Sequence, residues 1–233
     1  VWPNAYIAAS NQGSSPPVYA FDRANMLSPN GTSCPTARPT QKLTGAPALP
    51  GLGFQILTPV DLNGNTQPPA GAPAYFIRQR DEELHNDAGA SATTDRLELW
   101  TLNINFNTPS ATSLSKLPDI IVSDFDSNLC PPVSVFSCIP QPNNGSRLDP
   151  LLEIVMNPVS YRNFGTYQSI VGVFQIDVND FADHAASRWF ELRNNGSGWG
   201  LHQEGTYSPN SAHRFMSMVN MDSAGNMLLA YNV

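Results

Sequence analysis

A run of charged side chains follows the apolar segment Ala74–Ile77 directly and could carry chemistry. It combines arginines, carboxylates and a histidine, namely Arg78, Arg80, Asp81, Glu82, Glu83 and His85. A carboxylate pair held beside an arginine and a histidine can perform acid–base catalysis, or bind a sugar hydroxyl or a cation. The alternative is a solvated strand end in which arginines pair with glutamates. Asp81 and Glu82 are therefore candidate catalytic residues, and Arg80 and His85 are candidate ligand-binding residues.

Three arginines with aromatic neighbours suggest a second kind of site. Arg162 follows Tyr161, Arg188 precedes Trp189, and Arg214 precedes Phe215. A group of guanidiniums can hold a carboxylate through paired hydrogen bonds, so these three arginines are candidate ligand-binding residues. Glu204 is a third candidate catalytic residue in that case. Structural arginines at the sheet edges are the alternative.

The segment 177–184 has the density of oxygen-bearing side chains that is typical of a calcium loop. Asp177, Asn179 and Asp183 are its candidate ligands, although a complete EF-hand spacing is missing. An ordinary turn capped by aspartate side chains is the alternative. The histidines lack zinc-binding spacing, and no phosphate- or dinucleotide-binding motif occurs. We therefore expect no cofactor other than a structural Ca²⁺ ion.

The four tryptophans, Trp2, Trp100, Trp189 and Trp199, could stack on sugar rings if they are exposed. Aromatic residues at strand positions pack more often in the core. The sequence leaves both roles open for each of them.

Two of the three cysteines, Cys130 and Cys138, bracket a short loop that contains proline. This spacing predicts a local disulfide, and two reduced, buried thiols are the alternative. Cys34 has no local partner and is expected to be free or to pair with a segment outside this chain. A disulfide, few lysines and an acidic balance are typical of exported proteins, so we expect a secreted or cell-surface location.

Composition excludes several classes of protein. The chain has 233 residues, with 12 Lys and Arg against 19 Asp and Glu, a net charge of −7. An acidic chain with 13% charged residues does not bind nucleic acid through electrostatics. No apolar stretch reaches the roughly 18 residues of a bilayer-spanning helix, so we expect a protein that is not membrane-embedded. The chain begins without methionine or a leader, and we interpret it as a fragment of a longer secreted polypeptide.

The hydrophobic pattern predicts strands and almost no helix, apart from one or two turns near Phe21–Leu27. Twelve strands are predicted, at Ala5–Ala9, Val18–Phe21, Gly53–Leu57, Ala74–Gln79, Arg96–Phe106, Asp119–Ser123, Leu152–Tyr161, Tyr167–Asp177, Ser187–Arg193, Gly198–Tyr207, Phe215–Met221 and Met227–Val233. Without crossover helices, successive strands must pair in an antiparallel meander.

A weak internal repeat favours blades of about four strands. Residues 96–100 resemble residues 188–192, and residues 59–65 resemble residues 219–226. We therefore predict one all-β domain over residues 1–233, a β-propeller or part of one, with an irregular β-sandwich as the alternative.

Several segments resemble the β-propeller-like region of large secreted bacterial proteins of mostly unassigned function. The resemblance is carried by residues 1–6, 18–23, 70–78, 125–130, 138–142, 161–165, 188–193, 205–209 and 222–231. It implies the propeller-like fold, secretion, and neighbouring segments of the same parent protein as partners. It adds little about activity.

The sequence favours a secreted or cell-surface binding or display module with a glycan or protein ligand. The alternatives are a sialidase- or glycosidase-like hydrolase and a structural spacer. A hydrolase should bring carboxylates from two blades within about 5–10 Å in a concave pocket. A binding module should instead expose aromatic side chains in its pocket, and a spacer should show neither feature.

Overall fold

The computed structural model describes residues 2, 5–11, 15–27, 41–49, 56–85, 94–130, 137–179 and 182–233. The all-β class is confirmed, because the helices in these ranges are single turns. They are α1 (Arg23–Met26), α2 (Glu82–His85) and two 3-10 turns at Pro109–Ala111 and Pro142–Asn144. None of the described helices is long and apolar enough to cross a membrane. Cys34 lies outside the described residues.

The strands in the described ranges form three sheets. A small sheet contains β1 (Ala5–Ala9), β2 (Val18–Asp22) and β3 (Gln41–Leu43). The main sheet contains β4 (Thr58–Asn63), β5 (Ala74–Arg80), β6 (Arg96–Asn103), β7 (Ser113–Lys116), β8 (Ile120–Ile121), β9 (Val159–Asn163), β10 (Gln168–Asp177), β11 (Ala185–Asn194) and β12 (Trp199–Tyr207). The last sheet is the hairpin of β13 (Phe215–Met221) and β14 (Met227–Asn232).

The main sheet consists of two antiparallel four-stranded meanders, β4 to β7 and β9 to β12. Their first strands pair in parallel, with Val60 opposite Val159 and Leu62 opposite Tyr161. β8 continues the β7 edge by pairing with the start of β6. Successive strands are antiparallel as predicted, and the one parallel pair in this sheet joins strands that are far apart in sequence.

The internal repeat falls partly on equivalent elements. Residues 96–100 lie in β6 and residues 188–192 in β11, which are the third strands of the two meanders. The meanders are hydrogen-bonded edge to edge into one sheet, so the arrangement of blades about an axis stays a prediction.

Strand positions follow the hydrophobic pattern except where backbone geometry intervenes. The predicted strand Leu152–Tyr161 begins only at Val159, directly after the cis Asn157–Pro158 bond. Proline removes a ladder donor, which fits this late start. Residues 53–55 of another predicted strand lie outside the described ranges, and the strand nearby is β4, which begins at Thr58. The short strands β3 and β7 were not predicted, because three or four residues carry little periodic signal.

The main sheet is curled, and its inner face carries most of the hydrophobic core. Cross-strand neighbours share a face, so Ile77 lies beside Leu99, and Ile170 beside Tyr161. The two outer edges of the sheet approach each other: Glu204 Oε1 in β12 accepts hydrogen bonds from Ser123, just after β8, at 2.9 Å from N and 2.7 Å from Oγ. We call this curled main sheet the curl. It has two open ends, and a different set of side chains fills each end.

Candidate functional site

Residues 122–130, which follow β8, cover one end of the curl. We call them the closing segment. Phe125 of this segment packs on Phe174 of β10 with ring centroids 4.8 Å apart. The backbone of Asp126 accepts a hydrogen bond from Asp177 N at 2.7 Å. The closing segment therefore bridges the two meanders across the end of the core.

Two buried carboxylates hold the closing segment. Asp95, before β6, accepts hydrogen bonds from Glu82 N at 3.0 Å and Phe125 N at 2.6 Å. Asp81, after β5, accepts from Leu84 N at 3.0 Å, and from Ser127 N and Oγ at 2.7 and 2.8 Å. Each oxygen of both carboxylates accepts a hydrogen bond from a backbone N–H. Asp81 was predicted as a catalytic residue, and these bonds fit a structural role instead.

The remaining side chains of the predicted charged cluster form ion pairs. Glu82 pairs with Arg80 and Arg96, and its side chain is 1% exposed. Glu98 pairs with Arg78 at 2.7 Å and with Arg80 at 3.1 Å. The structure therefore brings Arg80 and Glu82 together in an arginine–glutamate network, as the structural alternative expected. The network is buried, however, and not at a solvated strand end.

His85 is buried and neutral. Its Nδ1 accepts a hydrogen bond from Asp81 N at 3.0 Å, so this nitrogen carries no proton. Burial is the main cause that lowers the pKa of His85 to about 4, with the charges of nearby arginines contributing and that of Asp81 opposing the shift.

A cavity of about 360 Å³ opens beside the closing segment and is acidic. Asp81, Glu83, Asp124 and Asp126 line it. Carboxylate oxygens of Asp81, Glu83 and Asp95 lie within 4.8 Å of one another. Burial raises the pKa of Asp95 to about 7, against the opposing backbone hydrogen bonds, and the charges of Asp81 and Glu83 raise it as well. This geometry can hold a proton or a cation, but the buried members already bond to the backbone.

Each of the three predicted arginines has its own set of partners. Arg162 donates to Met221 O and Asn63 Oδ1, which ties the last hairpin to the main sheet. Arg188 donates to Glu204 Oε2 at 2.7 Å and to Ser123 O at 3.2 Å inside the curl. Arg214 donates to Ala212 O and Asn210 Oδ1, so Glu204 is the one carboxylate among these partners.

Asp177 caps a turn, because its Oδ1 accepts hydrogen bonds from Asn179 N and His184 N. Asp183 Oδ1 instead accepts from Cys130 N, 53 residues away. The bonds of Asp177 fit the capped-turn alternative, and the calcium site stays a prediction. The disulfide between Cys130 and Cys138 is confirmed.

Four aromatic residues fill the opposite end of the curl. Trp2 contacts Tyr75 and Tyr161, with ring centroids 5.3 and 5.2 Å apart. Trp199, the first residue of β12, packs edge-on against Tyr75 at 5.4 Å. Trp2 is buried, whereas Trp199 remains half-buried at the surface, so only the latter is placed to meet a ligand.

Two open cavities flank the turn that precedes Trp199, and this tryptophan lines both. The larger, about 550 Å³, is lined by Thr166, Tyr167, Arg193, Asn195, Ser197, Gly198, Trp199, Gly200, Leu201 and His202. The smaller, about 390 Å³, lies at the gap between the sheet edges, and its lining includes Tyr75, Thr101, Asp119, Asn194 and Trp199. We call the two together the Trp199 cleft. The mouths of barrel-like sheets are common ligand sites.

A layered stack forms one wall of the larger cavity. Phe164 stacks on Tyr167 with centroids 4.7 Å apart, and the Arg193 guanidinium lies 4.3 Å from the centre of the Tyr167 ring. Glu191, which is fully buried, holds Arg193 through bonds of 2.6 Å to Nε and 3.3 Å to Nη2. The stack is therefore fixed before any ligand arrives.

Sequence reasoning named Trp199 but missed Asp95, Tyr167 and Arg193. The antiparallel register places Arg80 opposite Arg96, so Asp81 and Asp95 are the next pair along this ladder. The predicted hairpin between Ala74–Gln79 and Arg96–Phe106 could have signalled that pairing. Nothing local marks Tyr167, because its partner Arg193 lies on another strand.

Comparison of the chain with models of known families, with curated proteins and with solved structures finds no match.

Proposed function

We propose that the chain is a glycan-binding module of a secreted or cell-surface protein, and that it binds its ligand in the Trp199 cleft. The observation that carries this proposal is the position of Trp199, a half-buried residue that lines two adjacent open cavities. Flat aromatic faces stack on the apolar faces of sugar rings, while amide and hydroxyl groups bond to sugar hydroxyls. The cleft supplies both kinds of group.

The carboxylate partners favour binding over hydrolysis. A hydrolase needs an acid and a second carboxylate that reach the substrate. Asp81 is held by Ser127 and Leu84, Glu82 by arginines, and Glu204 by Ser123 and Arg188. These candidates therefore serve the fold, and the Trp199 cleft lies at the opposite end from the charged cluster.

The setting of the module follows from the same proposal. The disulfide Cys130–Cys138 supports an oxidising compartment. The four-stranded meanders are units of the size that propeller blades use, which supports a propeller-like arrangement within a longer parent chain. A Ca²⁺ ion at Asp177, Asn179 and Asp183 would be a structural addition to the module.

Binding to an array of defined oligosaccharides tests the proposal, followed by titration calorimetry with the ligands found. Trp199→Ala should weaken binding at least tenfold, because it removes a stacking face. Tyr167→Ala should weaken it as well, because it removes the ring on which Arg193 lies. Tyr207→Ala is the matched control, since Tyr207 is an exposed aromatic at the far end of β12, and it should bind like the wild type.

Two outcomes would overturn the proposal. One is that the wild type binds no oligosaccharide on the array. The other is that Trp199→Ala and Tyr167→Ala bind as tightly as the Tyr207→Ala control. Thermal unfolding of each variant separates loss of binding from loss of the fold. Release of shortened sugars during incubation would favour the hydrolase alternative instead.

A further inference from the structure

Among the described residues that line the larger cavity of the Trp199 cleft, one side chain is permanently charged, and a neighbouring carboxylate balances that charge. Arg193 is the residue, and Glu191 lies behind it in the same strand. The carboxylate of Glu191 also accepts hydrogen bonds from Ser169 Oγ at 2.9 Å and Gln203 Nε2 at 2.7 Å. A carboxylate with this many donors is held firmly in its ionised form.

The titration behaviour of Glu191 agrees with this geometry. Burial would raise its pKa, but the hydrogen bonds from Arg193, Gln203 and Ser169 outweigh burial, and the pKa lies below its ordinary value. Glu191 is therefore ionised at neutral pH, and the ion pair with Arg193 presents almost no net charge to the cavity.

The orientation of Arg193 leaves defined donors for a ligand. Nε and Nη2 face Glu191, and one guanidinium face lies on Tyr167. Within the described part of the chain, Nη1 makes no hydrogen bond to protein, and the side chain is 31% exposed. A planar donor fixed in this way suits hydroxyl oxygens at a set distance from an aromatic wall.

We infer that the larger cavity selects uncharged glycans and rejects acidic ones, with Arg193 as a neutralised hydrogen-bond donor and Glu191 as the residue that sets this selectivity. The inference rests on the proposed function. Thr166, Asn195 and Ser197 add uncharged polar groups to the lining that suit sugar hydroxyls, and His202 adds an imidazole. The net charge of −7 also disfavours the approach of an anionic sugar.

Paired ligands test the inference: neutral hexose-terminated oligosaccharides and the same oligosaccharides ending in a uronic acid, each titrated into the intact chain. The neutral ligand should bind at least tenfold more tightly. Glu191→Gln should lower the ratio of the affinity for the neutral ligand to that for the uronic acid about tenfold, because it leaves the Arg193 charge uncompensated. Glu83→Gln removes an exposed carboxylate at the opposite end of the curl, and it should keep the wild-type ratio.

The outcomes separate the two proposals. Equal or tighter binding of the uronic acid by the wild type, lost in Trp199→Ala, would overturn the inference and leave the glycan-binding proposal standing. Absence of binding to every sugar would overturn the proposed function itself. If Glu191→Gln does not fold, Arg193→Lys serves instead. This variant keeps the charge but loses the planar donor and the stacking on Tyr167. The affinity for the neutral ligand should fall about tenfold, and the preference for the neutral ligand should be retained. A reversal of preference in Arg193→Lys would contradict the inference.

Discussion

Asp81 and Asp95 stand side by side at the end of the β5–β6 hairpin, and each accepts a backbone hydrogen bond from the same closing segment. Asp95 holds Phe125 at 2.6 Å and Asp81 holds Ser127 at 2.7 Å. Both side chains are almost fully buried. The pair therefore fixes the segment that seals one end of the curled sheet, and several predictions about stability depend on it.

Replacing Asp81 should destabilise the fold. Asp81→Ala leaves Leu84 N and the backbone and hydroxyl of Ser127 without their acceptor, and we expect a loss of about 2–4 kcal/mol in the free energy of unfolding. Urea unfolding followed by tryptophan fluorescence measures it. Asp124→Ala removes an exposed carboxylate from the same segment and should stay within about 0.5 kcal/mol of the wild type. Similar losses in both variants would contradict a clamping role for Asp81.

Asp95 and His85 should give opposite pH dependences of stability. The folded pKa of Asp95 is raised to about 7 from an ordinary 3.8, so the native state holds its proton longer, and its contribution to the free energy of unfolding falls as pH rises. The folded pKa of His85 is lowered to about 4 from 6.5, so its contribution falls as pH falls. The two slopes largely offset each other in the wild type between pH 4 and 6.5.

Single variants should separate the contributions of Asp95 and His85 to the pH dependence of the free energy of unfolding. Relative to the wild type, Asp95→Asn should lose stability on acidification from pH 6.5 to 4, because the His85 slope then acts alone. His85→Asn should gain stability over the same range. Each slope is limited to about 1.4 kcal/mol per pH unit for one proton. Urea unfolding at half-unit pH steps measures it, and parallel curves for all three proteins would show that neither group titrates as described.

Gly172 in β10 should not tolerate a side chain. It lies opposite Phe190, and a Cβ at position 172 would stand 2.9 Å from Phe190 Cε1 within the packed inner face. Gly172→Ala should therefore cost about 1–3 kcal/mol through overpacking. At Gly200 in β12 a Cβ meets nothing within 4 Å, so Gly200→Ala is the matched control and should leave the melting temperature almost unchanged. Equal melting temperatures would refute the close packing at Gly172.

Glu204 should hold the two sheet edges together. Glu204→Ala removes the acceptor of Ser123 N and Oγ and leaves Arg188 without its carboxylate. Amide exchange at Ser123 should accelerate at least tenfold because the hydrogen bond that protects it is lost. Glu83→Ala, which removes an exposed carboxylate, should leave that rate unchanged. Unchanged protection of Ser123 in Glu204→Ala would mean that the curl closes without this contact.

Local pattern was enough to predict a large part of the molecule. Runs of apolar, β-branched and aromatic residues indicated most of the long strands. β13 alternates buried and exposed positions with a period of two, whereas β5, β6 and β10 are buried on both faces. The disulfide was predictable because its cysteines are only 8 residues apart. The arginine–glutamate pairing at Arg80 and Glu82 was also available as an alternative, since these residues lie two positions apart at the strand end. Its burial was not, because the sequence suggested a solvated strand end.

Only the tertiary structure decided how the site residues meet. Ser127 reaches Asp81 across 46 residues, and Ser123 reaches Glu204 across 81. The parallel pairing of β4 with β9, which joins the meanders, and the stacking of Arg193 on Tyr167 likewise depend on which strands become neighbours. Hydrophobic periodicity states which face of a strand is buried, but it does not name the partner strand. Contacts between distant segments are set by the closure and packing of the whole sheet, and that is where the Trp199 cleft is formed.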